Sequence, residues 1–236
     1  MTLLDSQPVD SAGDDRVGRP PAAALIRTAL TQARVLAIRI IGHPGSGKTE
    51  LIESTLKRMP APMRIAVIVI NPASSRDAQR LKPLCGYVGH IDAAVPDAVQ
   101  VWRAMSDLQL DHFDTVLIEA AGGFAPLQDL GQDATVAVFS IGGGDDKAAE
   151  YHALINRSSA VLLTKIDLRP LIKFDEQVFR NDVRAINSAA EVFEVSSVLG
   201  AGMPDWINWL ERTRAAKLQS RSRIGPTDWT PDKFIG

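Results

Sequence analysis

Eight residues of this chain combine types and spacing suited to phosphate chemistry: Gly42-His43-Pro44-Gly45-Ser46-Gly47-Lys48-Thr49. They follow the apolar run Val35-Leu36-Ala37-Ile38-Arg39-Ile40-Ile41 and lead into a helical pattern marked by Leu51, Ile52, Thr55, Leu56 and Met59. Glycines let a backbone curl so that successive amide hydrogens converge on an anion. The helix that follows turns its positive end to the same anion. Lys48 reaches the outer phosphates, and Thr49 offers a hydroxyl to magnesium. Gly-x-x-x-x-Gly-Lys-Thr at a strand end therefore predicts a nucleoside triphosphate site, with Gly42, Pro44, Gly45, Ser46, Gly47, Lys48, Thr49 and Glu50 around the phosphates.

Further candidates lie at other strand ends. Reading guanine takes a carboxylate that accepts from both N1–H and the 2-amino group, a donor pair adenine lacks. Thr164-Lys165-Ile166-Asp167 offers Asp167 for this, with Lys165 along the base plane, and Ser196-Ser197 follows the next strand as a loop closing over the base. This pattern shifts the reading from ATP to GTP; its plain alternative is a surface Lys and Asp capping a turn. Glu119, with Gly122 three residues on, resembles a magnesium and γ-phosphate switch. Asp77 acts on water or hydrated magnesium, or else caps a helix, and Arg76 is a candidate charge clamp. Catalytic candidates are thus Lys48, Asp77, Glu119 and Gly122; magnesium candidates are Thr49 and Glu119, with Asp77 through water.

The elements that position these residues are short apolar runs at 35–41, 64–70, 114–119, 134–140, 159–164 and 191–196. They are nearly continuous rather than alternating, as in strands buried on both faces. Helical patterns span Ala22 to Ala33, Asp97 to Leu110, Asp175 to Asn187 and Met203 to Arg214. The alternation predicts an α/β class: one doubly wound domain with a mostly parallel sheet flanked by helices, of P-loop NTPase type. The expected organisation is an N-terminal tail over 1–21, the domain over 22–214 and a basic and aromatic tail over 215–236.

Composition narrows the function. With 236 residues and 45% hydrophobic content the chain suits one large domain. A net charge of −2 does not suggest nucleic acid binding, and no apolar stretch approaches the ~20 residues of a membrane span. Met1 to Arg19 has no apolar signal region, and the single cysteine, Cys85, excludes an intrachain disulfide; both fit a cytoplasmic location. Arg212, Arg214, Lys217, Arg221 and Arg223 follow Glu211 without an intervening acid, which reads as a solvated helix end or a site for an anionic partner.

In order, the motifs resemble the HypB/UreG GTPases of nickel-enzyme maturation, nearest their HypB branch. Beyond the phosphate loop they are Arg76-Asp77-Ala78-Gln79-Arg80, Gly89-His90-Ile91-Asp92-Ala93, Ile118-Glu119-Ala120-Ala121-Gly122, Asp129-Leu130-Gly131, Gly144-Asp145-Asp146-Lys147, Thr164-Lys165-Ile166-Asp167 and Val195-Ser196-Ser197. The resemblance covers roughly 23–212. It implies a slow GTPase that uses GTP, GDP and Mg2+, dimerises with nucleotide and serves a client metalloenzyme or its accessory proteins. It also implies that Lys147 reaches a nucleotide across the dimer. The chain departs from the family at its metal site. Gly89 and Ala125 stand where the family has thiolates, and Asn71 where it has an aspartate. One imidazole does not replace two thiolates, so His90 is read as a structural or switch residue, and as a possible metal ligand.

The resulting expectation is a GTP-hydrolysing maturation factor for metallocentre assembly without its own thiolate metal site. The alternatives are a metallochaperone with a rebuilt nickel or zinc site using His90, Cys85 and His43 or Asp92, a cobalamin-type cofactor chaperone, and a nucleotide-binding scaffold with little turnover.

Overall fold

The apolar run ahead of the glycine loop forms the middle strand of the molecule. A computed structural model describes residues 21–60, 63–70, 75–93, 96–121 and 128–221. The chain begins α1 (Ala22–Ala33), β1 (Leu36–Gly42), α2 (Lys48–Arg58), β2 (Ile65–Ile70), α3 (Ser75–Leu81), β3 (Tyr87–Ile91) and α4 (Ala98–Ser106). It continues β4 (Thr115–Ala121), β5 (Ala134–Ser140), α5 (Lys147–Glu150), α6 (His152–Asn156), β6 (Ala160–Thr164), α7 (Glu176–Ile186), β7 (Glu191–Val195) and α8 (Met203–Arg221). The strands form one sheet in the order β3-β2-β4-β1-β5-β6-β7, and every adjacent pair is parallel. Strand order reverses on either side of β1, so the crevice at its carboxyl end is where a ligand binds in this class of sheet.

Period-two alternation sends successive strand residues into opposite layers. Ala37, Ile41, Ile68, Ile118 and Leu163 face one layer, with Ile26 and Leu30 of α1, Val101 and Met105 of α4, and Phe179 and Val183 of α7. Ile38, Ile40, Val67, Leu117 and Leu162 face the other, with Leu51 and Ile52 of α2 and Trp206, Trp209 and Leu210 of α8. Both faces are covered, which is why the runs read as continuous.

All six expected strands are present. The seventh, β3, carries His90, which was read as a structural or switch residue. It is an edge strand with an exposed His90, so it lacks the continuous apolar signature. α1 has the expected limits. Asp97 caps α4 through Gln100 N with a reciprocal Gln100 bond, and Asp175 caps α7. α4 stops at Ser106, short of the expected Leu110, and a 3-10 turn follows over Leu110–His112.

α8 runs past the expected Arg214 to Arg221, and its bases are not merely solvated. Arg212 pairs with Glu191, Arg214 with Asp114, and Lys217 with Asp133, so acids distant in sequence meet them at the amino ends of β7, β4 and β5.

Candidate functional site

β1 ends at Gly42 because the chain turns there against β5. A Cβ at this position would lie 2.2 Å from Val138 O. The loop then passes through exposed Pro44 and Gly45 to a fully buried Ser46, and α2 starts at Lys48. Thr164 Oγ1, at the end of β6, lies 2.7 Å from Ser46 O and 3.0 Å from Phe139 O, so one hydroxyl joins the loop to β5. Lys48 is buried and donates to Gly42 O at 2.8 Å and His43 O at 3.0 Å. Its ammonium therefore sits within the curl of the loop, beside the first turn of α2, where the helix amides and the cation combine to favour an anion.

Glu119 is the last acid before the end of β4, in register with Ile40 of β1. It is nearly buried, and Thr49 Oγ1 donates to its Oε1 at 2.5 Å. A hydroxyl and a carboxylate brought together at a phosphate loop make an oxygen-only donor pair, the kind a hard divalent cation prefers. Glu50 is half-buried one residue on. Arg76 and Asp77 lie on α3, but their side chains fall outside the described residues, as do Asn71, Gly122 and Ala125.

A cavity of about 180 Å³ opens at the carboxyl end of β6, lined by Gly47, Glu50, Thr164, Lys165, Asp167, Leu168, Ser197 and Val198. Lys165 adopts φ 62° and donates from Nζ to Gly45 O at 2.7 Å, so its alkyl chain crosses the wall shared with the phosphate loop. Ser196 Oγ donates to Asp167 Oδ1 at 2.6 Å and accepts from Leu199 N at 3.0 Å. Ser196 was expected in the loop over the base. The structure buries it completely and uses it to orient Asp167, leaving Ser197 on the cavity wall.

Lys147 starts α5 and pairs with Glu150, whose carboxylate raises the ammonium pKa. It stands across Gly143 from His43: a Cβ on Gly143 would be 3.4 Å from His43 Nε2 and 3.7 Å from Lys147 Cγ. Lys147 is thus near the loop yet outside the base cavity.

Two features were invisible in the sequence. Arg39, inside the apolar run, is 4% exposed on β1 and donates to Gln128 O at 2.8 Å. Ser54, Thr55 and Arg58 of α2 touch distant segments, with Trp206 Nε1 donating to Thr55 Oγ1 at 2.9 Å. Only the helical spacing hinted at that face.

The candidate nickel or zinc ligands His90 and Cys85 do not converge. Gly89 is buried on β3, and a Cβ there would sit 2.9 Å from the Tyr87 ring two residues back on the same face. His90 is exposed near the carboxyl end of that strand. Cys85 precedes the amino end, with Tyr87, Val88 and Gly89 of the strand lying between it and His90, so a set combining His90 and Cys85 in one protomer is not formed. Cys85 lies 3.4 Å from both Leu81 O and Tyr87 O, and burial pushes its thiol pKa up. It lines a separate cavity of about 680 Å³ with Met59, Met63 and Phe113, at the amino ends of β2 to β4. Among the described residues, no three or more His, Cys, Asp or Glu side chains are grouped to hold a metal.

A parallel seven-stranded sheet with a Gly-x-x-x-x-Gly-Lys-Thr loop between β1 and α2 defines a P-loop NTPase. The family described as "CobW/HypB/UreG, nucleotide-binding domain" matches residues 36–194, and the chain belongs to that family. It is 32% identical over 200 residues to the hydrogenase maturation factor HypB of Escherichia coli K12, covering 80% of this chain and 67% of that one. It is 30% identical over 197 residues to the probable hydrogenase maturation factor HypB of Methanocaldococcus jannaschii, covering 79% and 87%. The crystal structure of HypB from Archaeoglobus fulgidus superposes with a TM-score of 0.76 at 26% identity, covering 82% of this chain and 97% of that one. HypB from Helicobacter pylori, solved in complex with nickel, shares the fold with a TM-score of 0.77 at 22% identity, covering 89% and 98%.

Proposed function

We propose that the chain is a GTP-binding and GTP-hydrolysing maturation factor that assists metallocentre assembly in a partner metalloenzyme. The observation that carries the guanine reading is Asp167, held by Ser196 at the edge of a cavity whose other wall is Lys165. A carboxylate fixed there accepts from the guanine N1–H and 2-amino group, while adenine offers no such donor pair. Lys48 and the loop amides bind the phosphates. Thr49 and Glu119 would hold magnesium, with Asp77 acting through water, and the ion would supply charge neutralisation at the phosphates. Gly122 follows Glu119 and senses the γ-phosphate, which is the group that distinguishes GTP from GDP.

The named relatives support the maturation role, and the partner is a client metalloenzyme or its accessory proteins. Self-association gated by GTP, with Lys147 reaching the second nucleotide, completes the cycle in the cytoplasm. The chain acts through nucleotide-dependent docking and not through a thiolate site of its own, because Gly89 carries no ligand and Tyr87 covers the place a side chain would take. Magnesium-dependent phosphate release from GTP by the purified chain tests the reading. Tight GTP binding without single-turnover hydrolysis would reduce the protein to a nucleotide-gated scaffold.

A further inference from the structure

The helix that begins at the phosphate loop also grips the loop that orients the base-reading carboxylate. Ser54 of α2 is 3% exposed and donates from Oγ to Ser197 O at 3.0 Å. Arg58, one turn on, donates to Ser54 Oγ at 2.6 Å. The same guanidinium turns the edge formed by Nε and one terminal nitrogen to Gly200, where a Cβ would be 2.9 Å from that terminal nitrogen and 3.0 Å from Nε. Gly200 has φ +79°, so the turn presents bare backbone to the arginine.

That turn is what holds Ser196. Gly200 N donates to Ser196 O at 2.7 Å, Ser196 N to Ala201 O at 2.9 Å, and Leu199 N to Ser196 Oγ at 3.0 Å. Ser196 Oγ in turn donates to Asp167 Oδ1 at 2.6 Å. Continuous contacts therefore run from Arg58 and Ser54, through the Ser196–Gly200 turn, to Asp167. A carboxylate that must accept two parallel N–H bonds needs its plane fixed, and a supporting shell of this kind sets how well it discriminates.

We infer that Ser54 and Arg58 are positioning residues for base recognition: they clamp the Ser196–Gly200 turn so that Asp167 meets both guanine donors. The inference rests on the guanine reading above. It predicts a specific defect. Hypoxanthine nucleotides keep N1–H but lack the 2-amino group, so they depend less on the carboxylate plane. Arg58→Ala should lower the preference for GDP over IDP by about five- to tenfold, the worth of one misaligned hydrogen bond to a charged group. IDP affinity should stay within about twofold. Gly200→Ala, which drives a methyl into the guanidinium, should reproduce the defect.

The experiment is competition of GDP and IDP against a fluorescent guanine nucleotide, with thermal melting of each variant beside it. If Arg58→Ala does not fold, Ser54→Ala reads the same ratio. An unchanged GDP-to-IDP ratio in folded variants of a guanine-selective wild type would overturn the clamp and leave the guanine reading standing. A wild type that does not prefer guanine over adenine would overturn both.

Discussion

Thr49 and Glu119, 70 residues apart in sequence, meet through a 2.5 Å hydrogen bond from the threonine hydroxyl to Glu119 Oε1. The bond ties the first turn of α2 to the carboxyl end of β4, so the phosphate loop and the strand that leads to Gly122 share one oxygen pair. On the reading above, that pair is where magnesium binds. Glu119→Gln keeps the size and an oxygen for Thr49 while removing the charge. Magnesium-dependent GTP turnover should fall by about ten- to a hundredfold, while GDP binding without magnesium stays within about twofold. Unchanged magnesium dependence would remove Glu119 from the site.

Asp167→Asn places an amide donor against the two guanine donors. Loss of a paired contact costs about 1–3 kcal/mol, so GDP affinity should drop while xanthine nucleotides, with an acceptor at C2, bind better. Nucleotide competition reads both changes. Retained guanine preference would mean that another group reads the base.

Binding of nickel or zinc to the wild-type chain should be weak and little altered by His90→Ala, since a tight zinc site uses four ligands and His90 supplies one imidazole per subunit. Gly89→Cys alone must displace the Tyr87 ring, so Gly89→Cys with Tyr87→Ala should bind zinc more tightly than Gly89→Cys. Calorimetric titration decides. A stoichiometric submicromolar nickel site lost in both His90→Ala and Cys85→Ala would restore a rebuilt metal site.

Asp114 governs an acid-sensitive edge. Burial raises its carboxyl pKa, but the Arg64 backbone and guanidinium, with Arg214, outweigh burial and hold it below the usual carboxylate range. A depressed folded pKa contributes stability above the unfolded value and loses it as pH falls through the folded one. The loss therefore falls below about pH 4. Asp114→Asn should flatten the fall of melting temperature in that window. An unchanged slope would mean that other carboxylates carry it.

The sheet was legible because strands buried on both faces leave continuous apolar runs, and the phosphate loop because its chemistry permits few residue types. β3 was not legible: Tyr87-Val88-Gly89-His90-Ile91 is half-exposed at the edge and carries a glycine and a histidine. Arg39 passed as part of an apolar run, since nothing local announces that its partner is the Gln128 carbonyl. The reach of α8 depended on acids at Asp114 and Asp133, and the role of Ser196 on a carboxylate 29 residues earlier. Such pairings are tertiary, and no local pattern carries them.

A guanine-specific triphosphate site is tested most directly by displacement of a fluorescent GDP analogue from the purified chain by GTP and by ATP with magnesium present. GTP should displace at a concentration at least about a hundredfold lower than ATP, as expected where a site built on paired hydrogen bonds rejects a base lacking them. Equal displacement by the two nucleotides, or displacement by ATP first, would contradict guanine specificity.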